Sequence, residues 1–213
     1  MRIRTSILWA GVLVCGAFLA GCAPEEPPPP IAYRLRSPQS VHRLHRVVFV
    51  ELGDACRSPS VARGLTEEIH QALQKRALFH VDVVPRVDPA CRDLPLDVRG
   101  GLSLEQVFAL RRALECDGVL VGTLTRAEPH PRMQAAVYLR LFNVRDGTLL
   151  WGVDHVWDTT EQETQRRIRA FWRDQMRDDY EPVGWRLVRT SPRAFQKFVA
   201  YEIARTLPAR SEE

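Results

Sequence analysis

The chain has 213 residues, a formal net charge of +4 and a pI near 9.0. Loss of Arg2 and Arg4 with a leader changes +4 to +2, so the mature chain is close to neutral and its pI gives no reason to expect a nucleic acid partner. Only Lys75 and Lys197 among the 30 basic residues are lysine, which we attribute to GC-rich codon usage. Roughly 170 residues remain after a leader and a linker, enough for one domain with a buried core.

The N-terminus has the order of a secretory signal. Arg2 and Arg4 give a positively charged start, and an apolar stretch of 13 residues follows from Ile7 to Leu19. A membrane-spanning helix needs about 20 apolar residues, so this stretch is too short to span a bilayer. The pattern predicts a signal peptide over residues 1–21 that is removed on export.

The signal ends in the run Leu19-Ala20-Gly21-Cys22. This run resembles the lipobox of bacterial lipoproteins. The resemblance implies cleavage before Cys22, acylation of its thiol (palmitate being one such chain) and a lipid anchor. Two or three acyl chains hold a protein stably on a membrane where one does not. Ala23 implies, by the sorting rule of that family, the periplasmic face of the outer membrane. The alternative is an ordinary signal peptide that contains a cysteine.

A proline-rich tether is predicted over residues 22–44. Four consecutive prolines, Pro27 to Pro30, favour the extended polyproline II conformation, which would hold a folded domain away from the membrane. His42 and His45 stand near its end with two residues between them. Two histidines are a weak metal signal, so a solvated linker is the better interpretation.

Residues 45–158 read as an α/β domain that begins β-α-β. The apolar run Arg46–Leu52 predicts a core strand that ends at a Gly53-Asp54 turn. Ser58-Pro59 is a favourable helix start. Apolar residues then recur at every fourth position, which indicates one buried helical face: Val61, Leu65, Ile69 and Leu73. Phe79–Pro85 predicts the second strand.

The remainder of this domain reads α-β-β-β. Ser103 with Gln106 predicts a capping box at the start of the second helix. Strands are predicted over Val119–Thr125, Met133–Val144 and Thr148–Trp157, with Asp146-Gly147 as a hairpin signal between the last two. The order β-α-β-α-β-β-β predicts the α/β class, with a single mixed sheet and helices packed on it.

Residues 159–213 are predicted to be helical and to pack on the same domain. Two apolar stripes at helical spacing support this prediction. The first contains Ile168, Phe171, Trp172, Met176 and Tyr180, and the second, after Ser191-Pro192, contains Phe195, Phe198, Val199, Ile203 and Leu207.

Three cysteines remain in the predicted mature chain besides Cys22. An exported compartment permits disulfides, and an odd number leaves at least one thiol free or in an intermolecular bond. Cys56 and Cys91 each follow a predicted strand within a few residues, so we expect a Cys56–Cys91 disulfide. Cys116 precedes a buried strand and is expected to behave as a small apolar residue.

Two runs resemble small bacterial envelope lipoprotein domains. Glu115–Thr125 (ECDGVLVGTLT) is similar to their acidic-Gly-Val-Leu-Val-Gly strand, and Leu139–Trp151 (LRLFNVRDGTLLW) to the hairpin that follows it. Such domains occur in curli-secretion lipoproteins, in lipoprotein activators of penicillin-binding proteins and in the N-terminal domain of the Tol-system propeller protein. The resemblance implies the fold and no catalytic residues. The long membrane-inserting hairpins of curli-type channels have no counterpart in this sequence.

No motif in the sequence predicts an enzyme, a cofactor or a metal. There is no Gly-x-Ser-x-Gly, His-Glu-x-x-His, phosphate-loop or Cys-x-x-Cys pattern. Glu67, Glu68 and His70 have the spacing of a solvated helix face, and Asp54 that of a turn residue. Cys56 is a candidate nucleophile only if it is unpaired.

The aromatic residues of the hairpin predict an interaction surface. Trp151 to Trp157 places alternate side chains on one face of the last strand. If the other face stays open, Tyr138, Arg140 and Phe142 form an aromatic and arginine patch, the composition of interface hot spots. The alternative is that these rings lie beneath the C-terminal helices.

These features predict a membrane-anchored, non-enzymatic adaptor or activator that binds another envelope protein. A self-assembling subunit of an envelope secretion complex, binding copies of itself, is the second hypothesis. An unrecognised thiol enzyme or hydrolase is the third, and a free Cys56 with a low pKa would favour it.

Overall fold

The computed structural model describes residues 29–92, 101–129, 131–180 and 184–209. Its strands are β1 (Tyr33–Leu35), β2 (Arg46–Val50), β3 (Gly53–Asp54), β4 (His80–Val84), β5 (Gly118–Glu128), β6 (Gln134–Asn143) and β7 (Leu149–Asp158). Its α-helices are α1 (Pro38–His42), α2 (Pro59–Arg76), α3 (Leu104–Leu114), α4 (Gln162–Phe171), α5 (Arg177–Tyr180), α6 (Arg186–Thr190) and α7 (Pro192–Arg205). A 3-10 turn covers Pro89–Cys91 and a π-helical turn covers Trp172–Met176.

The strands form one mixed sheet, as predicted. Their order is β1-β7-β6-β5-β2-β4, and β3 pairs with β5 beside β2. β2 is parallel to both β4 and β5, whereas β5, β6 and β7 form an antiparallel meander. The Asp146-Gly147 hairpin is confirmed, with Gly147 at φ 70 in the turn. Gly53-Asp54, predicted as a turn, is instead a short strand.

Capping side chains fix the residues at which α3 and α7 begin. The capping box of α3 is confirmed: the Gln106 N–H donates to Ser103 Oγ at 3.2 Å, and the Ser103 N–H donates to Gln106 Oε1 at 2.9 Å. The α7 start is capped likewise, because the Ala194 N–H donates to Ser191 Oγ at 3.4 Å and Pro192 occupies the first turn.

The sheet separates two apolar clusters. The first face lies beneath α2, α4 and α7 and contains most of the core. The second face lies beneath α3 and holds a smaller cluster built on β2, β5 and β6. Helices α2 and α7 pack against each other closely, since a Cβ on Gly64 would lie 2.7 Å from Gln196 Oε1.

Part of the predicted tether belongs to the folded domain. Tyr33–Leu35 pairs antiparallel with Val153–Trp151 of β7, and Val41 in α1 is fully buried. Residues 33–42 therefore extend the sheet and its cover, which corrects the predicted tether boundary at residue 44. A three-residue strand and a five-residue helix are too short to show a periodic pattern, so the prediction missed them.

The predicted Cys56–Cys91 disulfide is wrong. Both cysteines are free. Cys56 packs against the cluster on the first face of the sheet, whereas Cys91 is buried in the cluster on the second face. The strands lie between the two thiols, and a disulfide requires Cα atoms within about 7 Å of each other. Proximity along the chain to a strand end did not reveal to which face each following loop turns.

Candidate functional site

The cysteine thiols are poorly suited to nucleophilic chemistry. Burial raises the pKa of Cys56, and the hydrogen bond from its Sγ to Asp54 Oδ1 at 3.3 Å raises it further. Burial also raises the pKa of Cys116, and it raises that of Cys91 to about 11. A reactive cysteine needs a lowered pKa, because the thiolate is the nucleophile. The described thiols therefore stay protonated at neutral pH.

The polar residues noted in the sequence have structural contacts. Glu68 is buried and accepts from Arg193 Nε at 3.3 Å, and His70 Nε2 lies 3.0 Å from the Val81 carbonyl, so the solvated face predicted for this pair is wrong. The Asp54 carboxylate accepts from the Cys56 N–H at 3.1 Å and so orders the loop before α2.

The described ranges contain neither a candidate metal cluster nor a helix able to span a membrane. Within them, no group of three or more His, Cys, Asp or Glu side chains could hold a metal ion. His42 Nε2 lies 3.1 Å from the Ala209 carbonyl, and His45 faces Asp117 at 3.8 Å. None of the described helices combines the length and the apolar character needed to cross a bilayer. Cys22 lies outside the described residues.

No described helix covers the second face of the sheet over β7 and β1. Val156 is 42% exposed there, Asp154 and Arg34 are exposed, and Arg140 is half-buried. We call these four residues, which are Arg34, Arg140, Asp154 and Val156, the open sheet surface. Its composition combines one exposed apolar side chain with charges of both signs.

The predicted patch lies at the border of this surface. Tyr138 and Phe142 are only 3% and 5% exposed and belong to the cluster beneath α3, so the expectation that both rings are exposed is wrong. The Arg140 guanidinium lies over the Tyr138 ring, 4.0 Å from its centroid. Gly152 makes room for it, since a Cβ there would lie 2.5 Å from the Arg140 Nη1. Arg140 thus remains the predicted residue that reaches solvent.

The C-terminal helix covers the opposite face of the hairpin. Trp151 Nε1 donates to Thr206 Oγ1 at 2.9 Å, and Trp157 Nε1 donates to Glu202 Oε2 at 2.6 Å. Both tryptophans are therefore beneath α7, and the rings of Tyr138 and Phe142 are not.

A cluster around the buried Glu202 carboxylate, which sequence reasoning missed, lies where the chain enters the domain. Arg167 Nε pairs with Glu202 Oε1 at 3.0 Å, and Arg167 Nη1 donates to the Pro30 carbonyl at 3.4 Å. His155 packs edge-on against Trp157, with ring centroids 4.8 Å apart. We call these five residues the junction cluster. Burial raises the pKa of Glu202, and the charge of Arg167 opposes that change.

The junction cluster predicts a stability that falls with mild acid. Burial, aided by the charge of Arg167, lowers the pKa of His155 to about 4, whereas an unfolded histidine titrates near 6.5. Between pH 6.5 and pH 4 the unfolded chain therefore binds a proton that the folded chain does not, and stability is lost as the pH falls through this range. The loss is at most about 3 kcal/mol. Urea unfolding at pH 7.0 and pH 4.5 measures it.

A substitution of His155 tests whether this side chain causes the loss of stability. His155→Gln should remove most of the change in stability between pH 7.0 and pH 4.5, and an unaltered pH slope in that variant would contradict the assignment.

A second loss of folding stability, caused by Asp158, is expected below pH 3.8. Burial alone would raise the pKa of Asp158, but hydrogen bonds from Thr160 and Arg132 outweigh burial and lower that pKa to about 2. These bonds weaken when Asp158 is protonated.

The fold resembles that of the solved bacterial protein PelC. The PelC dodecamer from Paraburkholderia phytofirmans matches with a TM-score of 0.53 and 13% identity, over 84% of this chain and 99% of that chain. Lipoprotein GNA1162 from Neisseria meningitidis matches with a TM-score of 0.37 and 17% identity, over 52% of this chain and 78% of that chain. The LpoB C-terminal domain from Escherichia coli matches with a TM-score of 0.35 and 17% identity, over 53% of this chain and 82% of that chain.

These comparisons concern the fold. No family model matches the sequence, and no curated protein matches it. The similarity to PelC shows the fold, and the predicted resemblance to bacterial envelope lipoprotein domains is confirmed for the fold alone.

Proposed function

We propose that the chain is a non-enzymatic lipoprotein of the cell envelope, anchored to the outer membrane by lipid on Cys22, that assembles with copies of itself. The observation that carries the proposal is the fold similarity to PelC, which extends over 99% of a chain that was solved as a dodecamer. The raised thiol pKa values support a non-catalytic role, because they disfavour the thiol-enzyme alternative.

The edges of the sheet offer two different surfaces for self-association. The sheet ends at β1 on one side and at β4 on the other, and edge strands readily pair with or pack on other chains. Tyr33 at the β1 edge and Val83 at the β4 edge are each 39% exposed. Contact between two different surfaces of identical chains is heterologous, and such contacts generate closed rings when the rotation permits.

An adaptor that binds a different envelope protein is the second candidate. The open sheet surface favours it, since Val156 is exposed beside Asp154 on β7, a strand distant in the sheet order from the β4 edge. Self-association is tested at Val83 on the β4 edge and the adaptor at Val156, which lies outside the β7 residues that β1 pairs, so substitutions can separate the two candidates.

The test is crosslinking of the tagged full chain in cells, followed by membrane fractionation and mass spectrometry. We expect the wild-type chain in the membrane fraction as a series of homo-oligomers. Cys22→Ser should move the chain to the soluble fraction, because the acylated thiol is absent. Retention of that variant on the membrane would overturn the anchor, and recovery of monomers alone would overturn self-assembly.

Two matched variants distinguish the surfaces. Val83→Asp should abolish the oligomers if the β4 edge is an interface, since it places a charge in an apolar contact. Val156→Asp is the control for self-assembly and should leave the oligomers intact. Loss of a crosslinked partner of different sequence in Val156→Asp, with oligomers absent in the wild type, would favour the adaptor.

A further inference from the structure

A cleft of about 260 Å³ lies between α2, α7 and the π-helical turn. Four basic side chains line it: Lys75 and Arg76 from α2, and Lys197 and Arg205 from α7. Arg76 Nη2 donates to the Leu207 carbonyl at 2.6 Å, which holds that guanidinium at the cleft. The concentration of four cations on two facing helices creates a positive potential in a concave site.

One acidic residue, Glu68, is among the residues that line this cleft. Its carboxylate is buried and accepts from Arg193 Nε at 3.3 Å, so an arginine that is not one of the four compensates its charge. The cleft lining therefore contains four basic side chains and one carboxylate, and that carboxylate is paired with Arg193.

The two lysines are the second observation. They are the chain's only lysines, they lie 122 positions apart in the sequence, and both line this one cleft. Every other basic residue of the chain is an arginine. The ammonium group is a compact point charge with three donors, whereas guanidinium is a wide planar fork.

The floor of the cleft is apolar. Phe171 and Met176 are buried beneath it, and the ring of Tyr201 lies 5.1 Å from that of Phe171. Ala72 and Ala204 contribute small side chains that give the cleft its depth. The π-helical turn that carries Met176 is a rare conformation found most often at functional sites. The floor can therefore accept an apolar group while the rim binds an anion.

We propose that this cleft binds a phosphate group carried on an apolar body. Phosphate presents several acceptor oxygens and as many as two negative charges, which matches four cations better than a single carboxylate does. The phosphate can belong to a soluble phosphate ester or to an anionic phospholipid head group. A phospholipid head group would lie near the cleft in the proposed anchored state. Arg167 contacts Pro30, which follows the anchor in the chain. Phe171, which lines the cleft, lies one helical turn after Arg167.

The two lysines allow a direct test. Reductive methylation with ¹³C-formaldehyde labels the full chain in detergent micelles, and Lys75 and Lys197 give the only two lysine signals in its spectrum. Both signals should shift and saturate on titration with phenyl phosphate. Inorganic phosphate, which lacks the apolar body, should bind at least tenfold more weakly.

Single variants identify the site without removing the probe. Lys75→Gln leaves the Lys197 signal, which should report at least a fivefold weaker affinity for phenyl phosphate. Arg112→Ala, which removes an exposed cation from α3, is the matched control and should stay within twofold of the wild type. Equal weakening in Arg112→Ala would mean a general charge effect and would overturn the site.

Lysine spectra recorded in nanodiscs of different lipid composition distinguish the two sources of the phosphate. Lysine shifts in discs containing phosphatidylglycerol, but not in discs of phosphatidylcholine alone, support a lipid head group. Shifts with phenyl phosphate alone support a soluble ester. Absence of any lysine shift with all of these probes would overturn the proposal, and it would do so whatever the oligomeric state of the chain.

Discussion

Gly122→Ala is expected to lower the free energy of unfolding by about 3 kcal/mol or more, the upper end of the range for overpacking a core. Gly122 lies in the central strand β5, opposite Leu139 of β6. A Cβ at this position would lie 2.6 Å from the Tyr138 carbonyl oxygen and 3.0 Å from Leu52 Cδ2, and it would also meet Leu139. The carbonyl is backbone, so relief requires moving a paired strand and not only a side chain.

A control in the same strand separates this steric effect from the general cost of adding a methyl group. Gly118→Ala would place its Cβ 3.2 Å from side-chain atoms of Leu44 and Val47, which can move, so about 1 kcal/mol or less is expected. Urea unfolding of both variants beside the wild type measures the difference. Equal midpoints for Gly122→Ala and the wild type would show that β5 and β6 do not approach as closely as the structure has them.

Glu202→Ala is expected to cost about 3–5 kcal/mol, because it removes one partner of a buried ion pair. Arg167 would keep its charge without the carboxylate that lies 3.0 Å away, and the Trp157 N–H would lose its acceptor at 2.6 Å. Replacing both partners, as in Arg167→Met with Glu202→Leu, should restore much of the loss, since no unpaired charge is then buried. Urea unfolding at pH 7 measures each variant.

The matched control is the exposed pair formed by Glu163 and Arg166, whose atoms lie 2.9 Å apart on the surface of α4. Glu163→Ala should change stability by at most about 0.5 kcal/mol, because surface pairs are screened by solvent. If Glu202→Ala costs no more than Glu163→Ala, the junction cluster does not hold the C-terminal helix on the sheet.

The residues of this cluster show why sequence reasoning did not find it. Pro30, His155, Arg167 and Glu202 come from four separate segments, and each by itself looks like a linker, strand or helix-surface residue. The helical stripe around Arg167 predicted that Ile168 and Phe171 are buried, which is confirmed. A charged residue beside that stripe gives no periodic signal, and its partner depends on where α7 packs.

The sequence alone determined the order of the longer elements, because helix and strand periodicity, caps and the hairpin turn depend on neighbours within a few residues. Thus the α3 capping box and the meander β5-β6-β7 were predicted and are confirmed. The tertiary structure decided which face each helix covers. That choice separates Cys56 from Cys91, buries Tyr138 and brings Lys75 to Lys197, since it depends on packing between segments far apart in the chain.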